Sequence, residues 1–572
     1  MQTIAVVAAL LFATTSQSQQ TSYSQGVNAP PPLVEKIDVS IVNIDVTVTD
    51  RRGQPVQGLT RNDFEVFEDG KPQPISNFYA VENAKGRSDV HPASSAPEAA
   101  PEQDRFRRKV LVLIDNANTT PHGRNIALDR LEAFVNEHFD DGRYDWSIAT
   151  VDSRVHLMLP MTSDKKALHS VVAAIRRTGT RIALKAPIEH SEFQSISAMA
   201  STKKMDGFTN AGAPWASNQT INVFGDEVAQ SEQTISAYSA TDAIVEAARA
   251  FGSSEGRKLI LLVTGYLPLA STSPNDRSSG YVPSGESPSE KDTGGMGFSG
   301  HTQEIVRTNR NLTVLRDIMV REANASNTSI YIVSAEGLEL PAQETVNSMS
   351  GTPRTRSSAI DTSPMFWLAK QTGGAYLPGS RLDQSFVEFD RQSSAFYSLG
   401  FAPLRVDDDR YHRLTVNIKG HKGYRLQYRD GYTTAPTDQQ MTRALRSPLG
   451  VAMQPSTMGV SLIFGQPKYS GIVALVPIKA TMSMESLQYI TDGRGSRTRL
   501  HVYVSIFDPD GRNITLAKSF ADISILPNES ATGPMTVTIP PLALAKGTYR
   551  VVVAVRDELT DHVGVTSQKI DI

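Results

Sequence analysis

The sequence contains no cysteine among its 572 residues. This absence excludes disulfides, zinc–thiolate sites, iron–sulfur clusters and cysteine nucleophiles. It also excludes a lipid anchor that is attached to a cysteine at a cleavage site. A sequence without cysteine suits a protein exported to an oxidising compartment, but it is also common in cytosolic proteins, so this feature alone decides little.

The sequence also lacks a strong charge of one sign. Its 57 lysine and arginine residues against 60 aspartate and glutamate residues give a formal net charge of −3. That balance offers no basic surface for nucleic acid. Beyond the first residues, no segment approaches the roughly 18 consecutive apolar residues of a membrane-spanning helix. We therefore expect neither a nucleic-acid partner nor a transmembrane segment.

The first residues have the layout of a secretory signal peptide. Residues 4–12 (IAVVAALLF) are apolar but too few to span a bilayer, and residues 14–20 are small and polar. We predict a signal peptide over 1–20, with a cleavage region near Ser16–Ser18, and a disordered linker over 21–35. No lysine or arginine precedes the apolar run, and the simpler alternative is a frayed apolar tail. The prediction implies export to the periplasm, the cell surface or the medium.

The length predicts about three or four domains. Residues 36–82 have alternating strand patterns and an Asp-Gly hairpin signal, and residues 456–572 show strands separated by regular turns. The predicted order is a small β domain (36–82), a linker (83–104), an α/β domain (105–432), a linker (433–455) and an immunoglobulin-like β-sandwich (456–572).

The central region alternates buried strands and amphipathic helices. Residues 109–115 (KVLVLID) form an apolar run that ends in Asp115, which is typical of a strand buried on both faces. Repeated β–α units predict a mostly parallel, Rossmann-like sheet with helices on both faces. Two long insertions, 181–235 and 267–300, are rich in Gly, Ser, Asn and Pro. Loops of this length are functional or disordered.

Three groups of segments carry a family resemblance. They are residues 46–59 (VTVTDRRGQPVQGL) with 63–70 (DFEVFEDG), residues 110–119 (VLVLIDNANT), and residues 368–376 (LAKQTGGAY) with 397–401 (YSLGF) and 429–432 (RDGY). Over roughly residues 36–432 the chain resembles the von Willebrand factor type A-related proteins of Acidobacteria. The resemblance implies an A-type α/β fold in the centre of the chain.

The resemblance also implies a metal-ion-dependent adhesion site, which begins with the pattern Asp-x-Ser-x-Ser. Asp115 and Thr119 match this pattern, but Ala117 replaces the first serine and offers no oxygen. The aspartate expected from a later loop is absent after Val263, where the sequence is Thr-Gly-Tyr. The site is therefore degenerate, so we expect no cofactor, and Mg²⁺ is the alternative.

Other residues of the candidate site remain open. The threonine expected from a further loop has three alternatives: Thr180, Ser236 and Ser239. The simpler interpretation of Asp115, which we favour, is that it caps the adjacent helix or accepts hydrogen bonds from loop amides. The candidate partner-binding residues are Asp115, Asn118, Thr119, Thr180 and Tyr266.

Three further motifs match patterns of catalytic or ligand-binding sites, but their sequence context argues against such sites. Residues 252–256 match Gly-x-Ser-x-Gly, but they follow a helix and precede a strand, the reverse of a nucleophile elbow. Residues 295–300 match Gly-x-Gly-x-x-Gly without a preceding strand. Asp508 and Asp510 could suggest Ca²⁺, but Asp-Pro-Asp-Gly is first a turn sequence.

Together these features favour a non-enzymatic binding module. We expect an exported adhesion-type protein that binds a protein or cell-envelope macromolecule through the loops that follow the parallel strands. Two alternatives remain: a secreted hydrolase acting on envelope or extracellular polymer, and a structural envelope component. A hydrolase would need a triad or a carboxylate pair in one cleft, and no spacing in the sequence argues for one.

Overall fold

The computed structural model describes residues 41–572 with gaps at 83–84, 89–106, 139–142, 153, 178–235, 252–255, 270–299, 336–344, 347–353, 356–362, 404–409, 422, 434, 455, 457, 493–494 and 528. The described residues divide into a larger unit, 41–444 with 448–453, and a smaller unit, 445–447 with 454–572. No helix among these residues is long and apolar enough to cross a membrane.

The larger unit combines strands and helices. Its strands are β1 (Val42–Thr49), β2 (Phe64–Glu68), β3 (Lys71–Gln73), β4 (Asn77–Glu82), β5 (Lys85–Ser88), β6 (Arg108–Asp115), β7 (Tyr144–Val151), β8 (Val155–Thr162), β9 (Arg257–Thr264), β10 (Thr328–Ser334), β11 (Thr345–Val346), β12 (Arg354–Thr355), β13 (Tyr376–Leu377), β14 (Ala395–Phe401), β15 (Tyr411–Ile418), β16 (Arg425–Gln427) and β17 (Gly431–Thr433). Its helices are α1 (Pro121–His138), α2 (Lys165–Arg177), α3 (236–250), α4 (Gly300–Ala325), α5 (Ser363–Gln371), α6 (Leu382–Ser394), α7 (Thr437–Ala444) and α8 (Pro448–Met453).

The centre of this unit is a six-stranded sheet in the order β13-β10-β9-β6-β7-β8. All pairs are parallel except β7 with β8, which are antiparallel. Strands β6, β9 and β10 are buried over almost their whole length, as their runs of Val, Ile and Leu predict. The predicted mostly parallel sheet is confirmed.

Helices cover both faces of this sheet, as the alternation of elements predicted. One face packs against α1, α2 and α6 through residues such as Leu131, Val172 and Phe389. The other packs against α3, α4, α5 and α8, through residues such as Phe251 and Met319. Burial of apolar surface on both faces is the main stabilising contribution, at roughly 25 cal/mol per Å².

The N-terminal β segment does not form sheets of its own, which differs from the predicted division. Strand β1 lies between β14 and β16, and β4 pairs with β14, in a sheet of order β16-β1-β14-β4-β5. A second sheet has the order β17-β15-β2-β3. Residues 42–82 therefore share a core with residues 395–433, which the sequence analysis assigned to the α/β domain. The predicted linker 433–455 likewise contains α7 and α8.

The physical reason is that neither half of this β region can bury its apolar faces alone. Ile44 and Val46 of β1 pack with Leu399 of β14, and Phe64 of β2 lies 5.1 Å from the ring of Tyr397, centroid to centroid. The register pairs Val42 with Phe401. Two strands in isolation are marginal at best, so the partners have to come from a distant part of the chain. We call these two sheets together the β body.

Buried arginines join the β body to the amino end of the parallel sheet. Arg257, at the start of β9, donates to the Ser393 carbonyl (3.0 Å) and the Thr47 hydroxyl (3.3 Å). Arg429 donates to the carbonyls of Asn324 (2.5 Å) and Asn43 (2.7 Å). Burial lowers the pKa of Arg429 to about 10, so the guanidinium remains charged at neutral pH. These donors satisfy carbonyls from both parts of the unit.

A second buried cation lies at the same end of the sheet. Arg108, at the start of β6, is 1% exposed and contacts Asp390 of α6 at 3.1 Å. Its guanidinium also donates to the hydroxyl of Tyr144, which in turn donates to Asp390. Burial by itself would raise the pKa of Asp390, but the Tyr144 hydroxyl and the guanidinium groups of Arg108 and Arg143 outweigh it and lower that pKa.

The smaller unit contains β18 (Val460–Phe464), β19 (Lys468–Ser470), β20 (Val473–Ser483), β21 (Ile490–Asp492), β22 (Gly495–Phe507), β23 (Asn513–Ile525), β24 (Pro534–Ala545), β25 (Thr548–Asp557) and β26 (Val563–Asp571). In one sheet β20 pairs with β18, β19 and β24, and in the other the order is β21-β22-β25-β26 with β23 also on β22. All pairs are antiparallel.

The two sheets of the smaller unit share one apolar core, as a β-sandwich requires. Val476 and Ile478 of one sheet and Val504 and Val553 of the other belong to the same buried cluster. The Asp508-Pro-Asp-Gly turn is also present, because the Asp508 carboxylate accepts the backbone N–H of residue 512 at 2.8 Å. Whether the sandwich is immunoglobulin-like stays a prediction.

We predict that Asp390→Asn lowers the free energy of unfolding by about 3 kcal/mol at neutral pH, because Arg108 would stay buried without its carboxylate partner. Since the pKa of Asp390 is lowered in the folded protein, its contribution is present above its usual pKa and is lost as the pH falls. The difference from the wild type in urea unfolding should therefore shrink between about pH 5 and pH 3.

The matched control is Asp383→Asn on the same helix. The carboxylate of Asp383 pairs with Arg130 at the surface, where the two side chains are 69% and 50% exposed. We expect this variant to change the free energy of unfolding by less than about 1 kcal/mol. A difference for Asp390→Asn that does not vary with pH would contradict the assignment.

Candidate functional site

The candidate site lies at the carboxyl ends of the central strands. Numbered in chain order, the six strands follow the order 3-2-1-4-5-6 across the sheet, so the order reverses between β6 and β9. Doubly wound sheets bind ligands at this reversal, outside the carboxyl ends of the strands. Asp115 ends β6, and Thr264 ends β9.

The carboxylate of Asp115 is enclosed by hydrogen-bond donors, and the residue is 3% exposed. Its Oδ1 accepts the backbone N–H groups of Ala117 (3.1 Å) and Asn118 (3.0 Å). Its Oδ2 accepts from the side-chain amide of Asn118 (2.9 Å) and the hydroxyl of Thr264 (2.9 Å). A carboxylate has about four lone-pair positions, so donors of the protein itself fill them.

Further hydrogen bonds connect this carboxylate to three chain segments. The hydroxyl of Ser236, at the first described residue of α3, donates to Asn118 Oδ1 at 2.7 Å. The backbone N–H of Gly265, directly after β9, lies 3.0 Å from both the Thr119 hydroxyl and the Asn118 carbonyl oxygen. The loop after β6 is thus held to the start of α3 and to the loop after β9. We call this set of hydrogen bonds the Asp115 network.

The first turn of α1 fits closely against the same edge. A Cβ atom at Gly123 would lie 2.6 Å from the carbonyl oxygen of Ala335, which follows β10. Arg124, the next residue, is 2% exposed and donates to Asn116 Oδ1 at 3.3 Å. Glycine at position 123 therefore permits the helix to approach the strand end, and Arg124 fixes the loop that precedes it.

Burial raises the pKa of Asp115, and the hydrogen bonds from Asn118, Thr264 and Ala117 oppose that rise without cancelling it. A general base has to reach a substrate proton within hydrogen-bond distance. The Asp115 carboxylate is buried, and its lone pairs already face donors of the protein. Its arrangement is that of a structural carboxylate that holds loops together.

The side chains at this edge do not fit the Mg²⁺ site that the resemblance implies. Mg²⁺ requires about six oxygen ligands in near-octahedral geometry. Asp115 is surrounded by N–H and O–H donors, Thr119 Oγ1 accepts from Gly265, and Ala117 supplies no oxygen. A cation would have to break several of these bonds, and each bond to a charged group contributes roughly 1.5–3 kcal/mol.

Four of the predicted partner-binding residues lie together. Asp115, Asn118 and Thr119 belong to the Asp115 network, and the carbonyl oxygen of Tyr266 lies 2.9 Å from the hydroxyl oxygen of Thr264. Thr180 lies outside the described residues. Of the other two hydroxyls weighed for that position, Ser236 contacts Asn118, and Ser239 lies three residues further along α3.

Sequence reasoning missed Thr264, although a signal was present. The resemblance implies an aspartate after β9, and Thr264 occupies that position instead. The register pairs Ile114 with Val263, which places Asp115 and Thr264 at the same level of neighbouring strands. A polar residue directly after each of two buried apolar runs would have identified the pair.

A second group of polar residues lies in the β body. Glu68, Asp69 and His412 each offer a ligand atom, and these atoms lie within 4.8 Å of one another. His412 Nδ1 is 2.8 Å from Asp69 Oδ2, the backbone N–H of Arg413 donates to Asp69 Oδ1 at 2.9 Å, and the Tyr432 hydroxyl donates to Glu68 at 2.7 Å. These atoms fasten the β2–β3 turn to β15 and β17, which accounts for their arrangement without an ion.

Two of the remaining motifs, at residues 252–255 and 295–299, lie outside the described part of the chain. His122 is exposed at the start of α1. The Asp508 carboxylate is used within its own turn, which agrees with the turn interpretation.

No protein-family model matches this chain, and no curated protein is similar to it. Among solved structures, an aerotolerance-related membrane protein from Bacteroides fragilis has a TM-score of 0.24 and 10% identity, over 50% of this chain and 98% of that one. The conserved hypothetical protein BatB from Bacteroides thetaiotaomicron has a TM-score of 0.24 and 12% identity, again over 50% and 98%.

The pilus adhesin SpaC from Lactobacillus rhamnosus GG has a TM-score of 0.23 and 8% identity, over 82% of this chain and 69% of that one. These TM-scores and identities are too low to support an inference about function or partners.

We predict that Asp115→Ala lowers the free energy of unfolding of the larger unit by about 3 kcal/mol, because several buried donors would lose their acceptor. Trp146 and Trp367 lie in this unit, and residues 454–572 contain no tryptophan, so tryptophan fluorescence in urea follows the unfolding of the larger unit. As a control, Asp50→Ala removes a carboxylate that accepts two backbone N–H groups in an exposed turn. That variant should lose less than about 1 kcal/mol. Equal losses of unfolding free energy in the two variants would show that the Asp115 network contributes no more to stability than an exposed turn does.

Proposed function

We propose that this chain is a non-enzymatic, adhesion-type binding protein whose central sheet and helices form a von Willebrand factor A-type domain. It binds a protein or cell-envelope macromolecule through the carboxyl edge of the parallel sheet. The observation that carries the proposal is the Asp115 network, which fixes three chain segments into one surface at the position where doubly wound sheets bind their ligands.

The topology brings additional chain to the same edge. Residues 265–269 and Ala335 follow the carboxyl ends of β9 and β10, and Ser236, the first described residue of α3, contacts Asn118. The segments 270–299, 336–344 and 178–235 connect to these residues along the sequence. Loops that a rigid scaffold positions are where binding residues are concentrated. This placement favours the carboxyl edge over the amino edge, which the β body covers.

We further propose that binding at this edge does not depend on a divalent ion. The oxygen atoms that the resemblance assigns to a metal are engaged in hydrogen bonds with the protein. Export of the protein belongs to the same proposal and rests on the apolar run of residues 4–12, which lies outside the described residues.

Calorimetric titration of Mg²⁺ and Mn²⁺ into the full chain tests the metal-independent form of the proposal. We expect no saturable heat up to about 1 mM, a concentration at which weak extracellular divalent sites are occupied. The comparison is Asp115→Ala, provided that it remains folded by circular dichroism. Saturable binding to the wild type that disappears in the variant would show that the Asp115 network rearranges to hold an ion.

Site-specific photo-crosslinking tests the binding edge itself. His122 and Glu137 are exposed at opposite ends of α1, the first at the carboxyl edge and the second at the amino edge. A benzophenone amino acid at position 122, introduced in the producing cells, should give covalent adducts with an envelope or secreted macromolecule. The same group at position 137 should not. Adducts of equal yield at both positions, or at neither, would contradict the proposed edge.

A further inference from the structure

The smaller unit has a long edge strand with exposed apolar residues. Strand β23 pairs only with β22 among the described residues, so one of its edges has no strand neighbour there. It is 13 residues long and contains neither proline nor glycine. Three large apolar side chains on it or directly after it are exposed: Ile514 (43%), Phe520 (65%) and Leu526 (64%). An edge of this kind is a template for another strand.

Strand β24, an edge strand of the other sheet of the sandwich, is protected against pairing with a further strand. Strand β24 pairs only with β20 among the described residues, and it contains Pro540 and Pro541, where the pairing register shifts opposite Val476 and Ile478. Proline has no N–H to donate, and an irregular register disturbs the addition of a further strand. The contrast shows that β23 lacks the protection that β24 has.

The side chains of β23 are complementary to themselves. Lys518, Phe520 and Asp522 alternate along the strand and therefore lie on the same face. When two antiparallel copies place Phe520 opposite Phe520, Lys518 of each copy faces Asp522 of the other. In the same register Ile514 faces Leu526. Phe520, Ile514 and Leu526 then meet apolar residues and Lys518 meets Asp522, while Leu516 faces Ser524.

Neighbouring registers lose this match. A slip of two residues, which keeps the side chains on the same faces, places Phe520 opposite either Lys518 or Asp522 of the second copy. Arg499 of β22 favours the register centred on Phe520. Its guanidinium carbon lies 5.0 Å from the centre of the Phe520 ring, and its Nε lies 2.6 Å from Asp522 Oδ1. Arg499 therefore holds both side chains in place on the sheet surface before a partner arrives.

We propose that the chain forms a two-fold homodimer by antiparallel pairing of β23 with β23 of a second copy, centred on Phe520. The pairing joins the two β22-containing sheets into one continuous sheet. Backbone hydrogen bonds supply a general attraction, and the side chains fix the register. Lys518 alone would block an edge, as charged residues commonly do, but in this register it lies opposite Asp522 of the second copy, which also pairs with Arg499 of its own copy.

Sedimentation velocity of the full chain tests the proposal. We expect a reversible monomer–dimer equilibrium over roughly 1–100 µM, since an interface limited to one strand pair and its side chains is small. Phe520→Lys should give a monomer across this range. Ile472→Lys, at an 86% exposed position of the β19–β20 turn, is the matched control and should leave the equilibrium unchanged. A monomeric wild type, or a Phe520→Lys variant that still dimerises, would overturn the proposal.

Charge reversal tests the register. Lys518→Glu and Asp522→Lys each place two like charges opposite each other in their own homodimer, so each should weaken dimerisation by about tenfold. An equimolar mixture of the two variants restores two attractive pairs and should recover dimers with one copy of each. Failure of the mixture to recover, while both variants keep the wild-type circular dichroism, would show that these residues do not face each other.

Covalent trapping gives an independent measurement, because the chain has no cysteine of its own. Residues directly opposite in an antiparallel pair have Cα atoms about 4.5–5.5 Å apart, within the range that a disulfide spans. Phe520→Cys should therefore form an intermolecular disulfide under mild oxidation, whereas Ile472→Cys should form much less. Equal yields at the two positions would place the contact elsewhere.

Discussion

The hydrogen bonds that surround the Asp115 carboxylate are the constraint on which the carboxyl edge depends. Two parallel strands end side by side at the reversal of strand order, and their polar terminal residues are buried there. A buried carboxylate is stable only when donors surround it. The loop after β6 supplies backbone and amide donors, and β9 supplies the Thr264 hydroxyl. Satisfying one buried charge thereby fixes the course of two loops and the start of a helix.

At the opposite edge the same requirement applies to cations. Arg108, Arg257 and Arg429 are almost completely buried, and their donors reach a carboxylate or main-chain carbonyls. Because the acceptors come from residues as far apart as Asn43 and Asn324, the amino edge is closed by the β body. The loops that follow the parallel strands lie at the carboxyl edge, on the side of the sheet away from the β body. The proposed binding function depends on this separation.

The smaller unit is a β-sandwich whose edge strands differ in how well they are protected against pairing with another chain. Its core residues alternate regularly, so the two sheets bury one face each. Burial of these faces does not pair the backbone of the edge strands. An edge strand exposes backbone N–H and C=O groups whatever its side chains are. Prolines and an irregular register protect β24, while β23 carries complementary side chains. The proposed dimer and the proposed binding edge belong to different units and can be tested separately.

The sequence by itself determined the local elements and the fold class. Apolar runs such as residues 109–115 predicted the buried parallel strands, and the alternation of strand and helix patterns predicted helices on both faces of the sheet, because these patterns report which faces a segment can bury. The Asp-Pro-Asp-Gly turn followed in the same way, since it involves residues that are adjacent in sequence, whereas the choice of Asp115, Asn118 and Thr119 as candidate-site residues came from the family resemblance.

Only the tertiary structure decided which distant segments meet. The sequence assigned residues 36–82 to a domain of their own, whereas β1 pairs with β14 and β16 more than 300 residues later, by a register such as Val42 with Phe401. Thr264 and Ser236 entered the Asp115 network for the same reason. Strand pairing and side-chain hydrogen bonds depend on distances in space, and the periodicity of a segment specifies the face that it buries but not the partner that covers it.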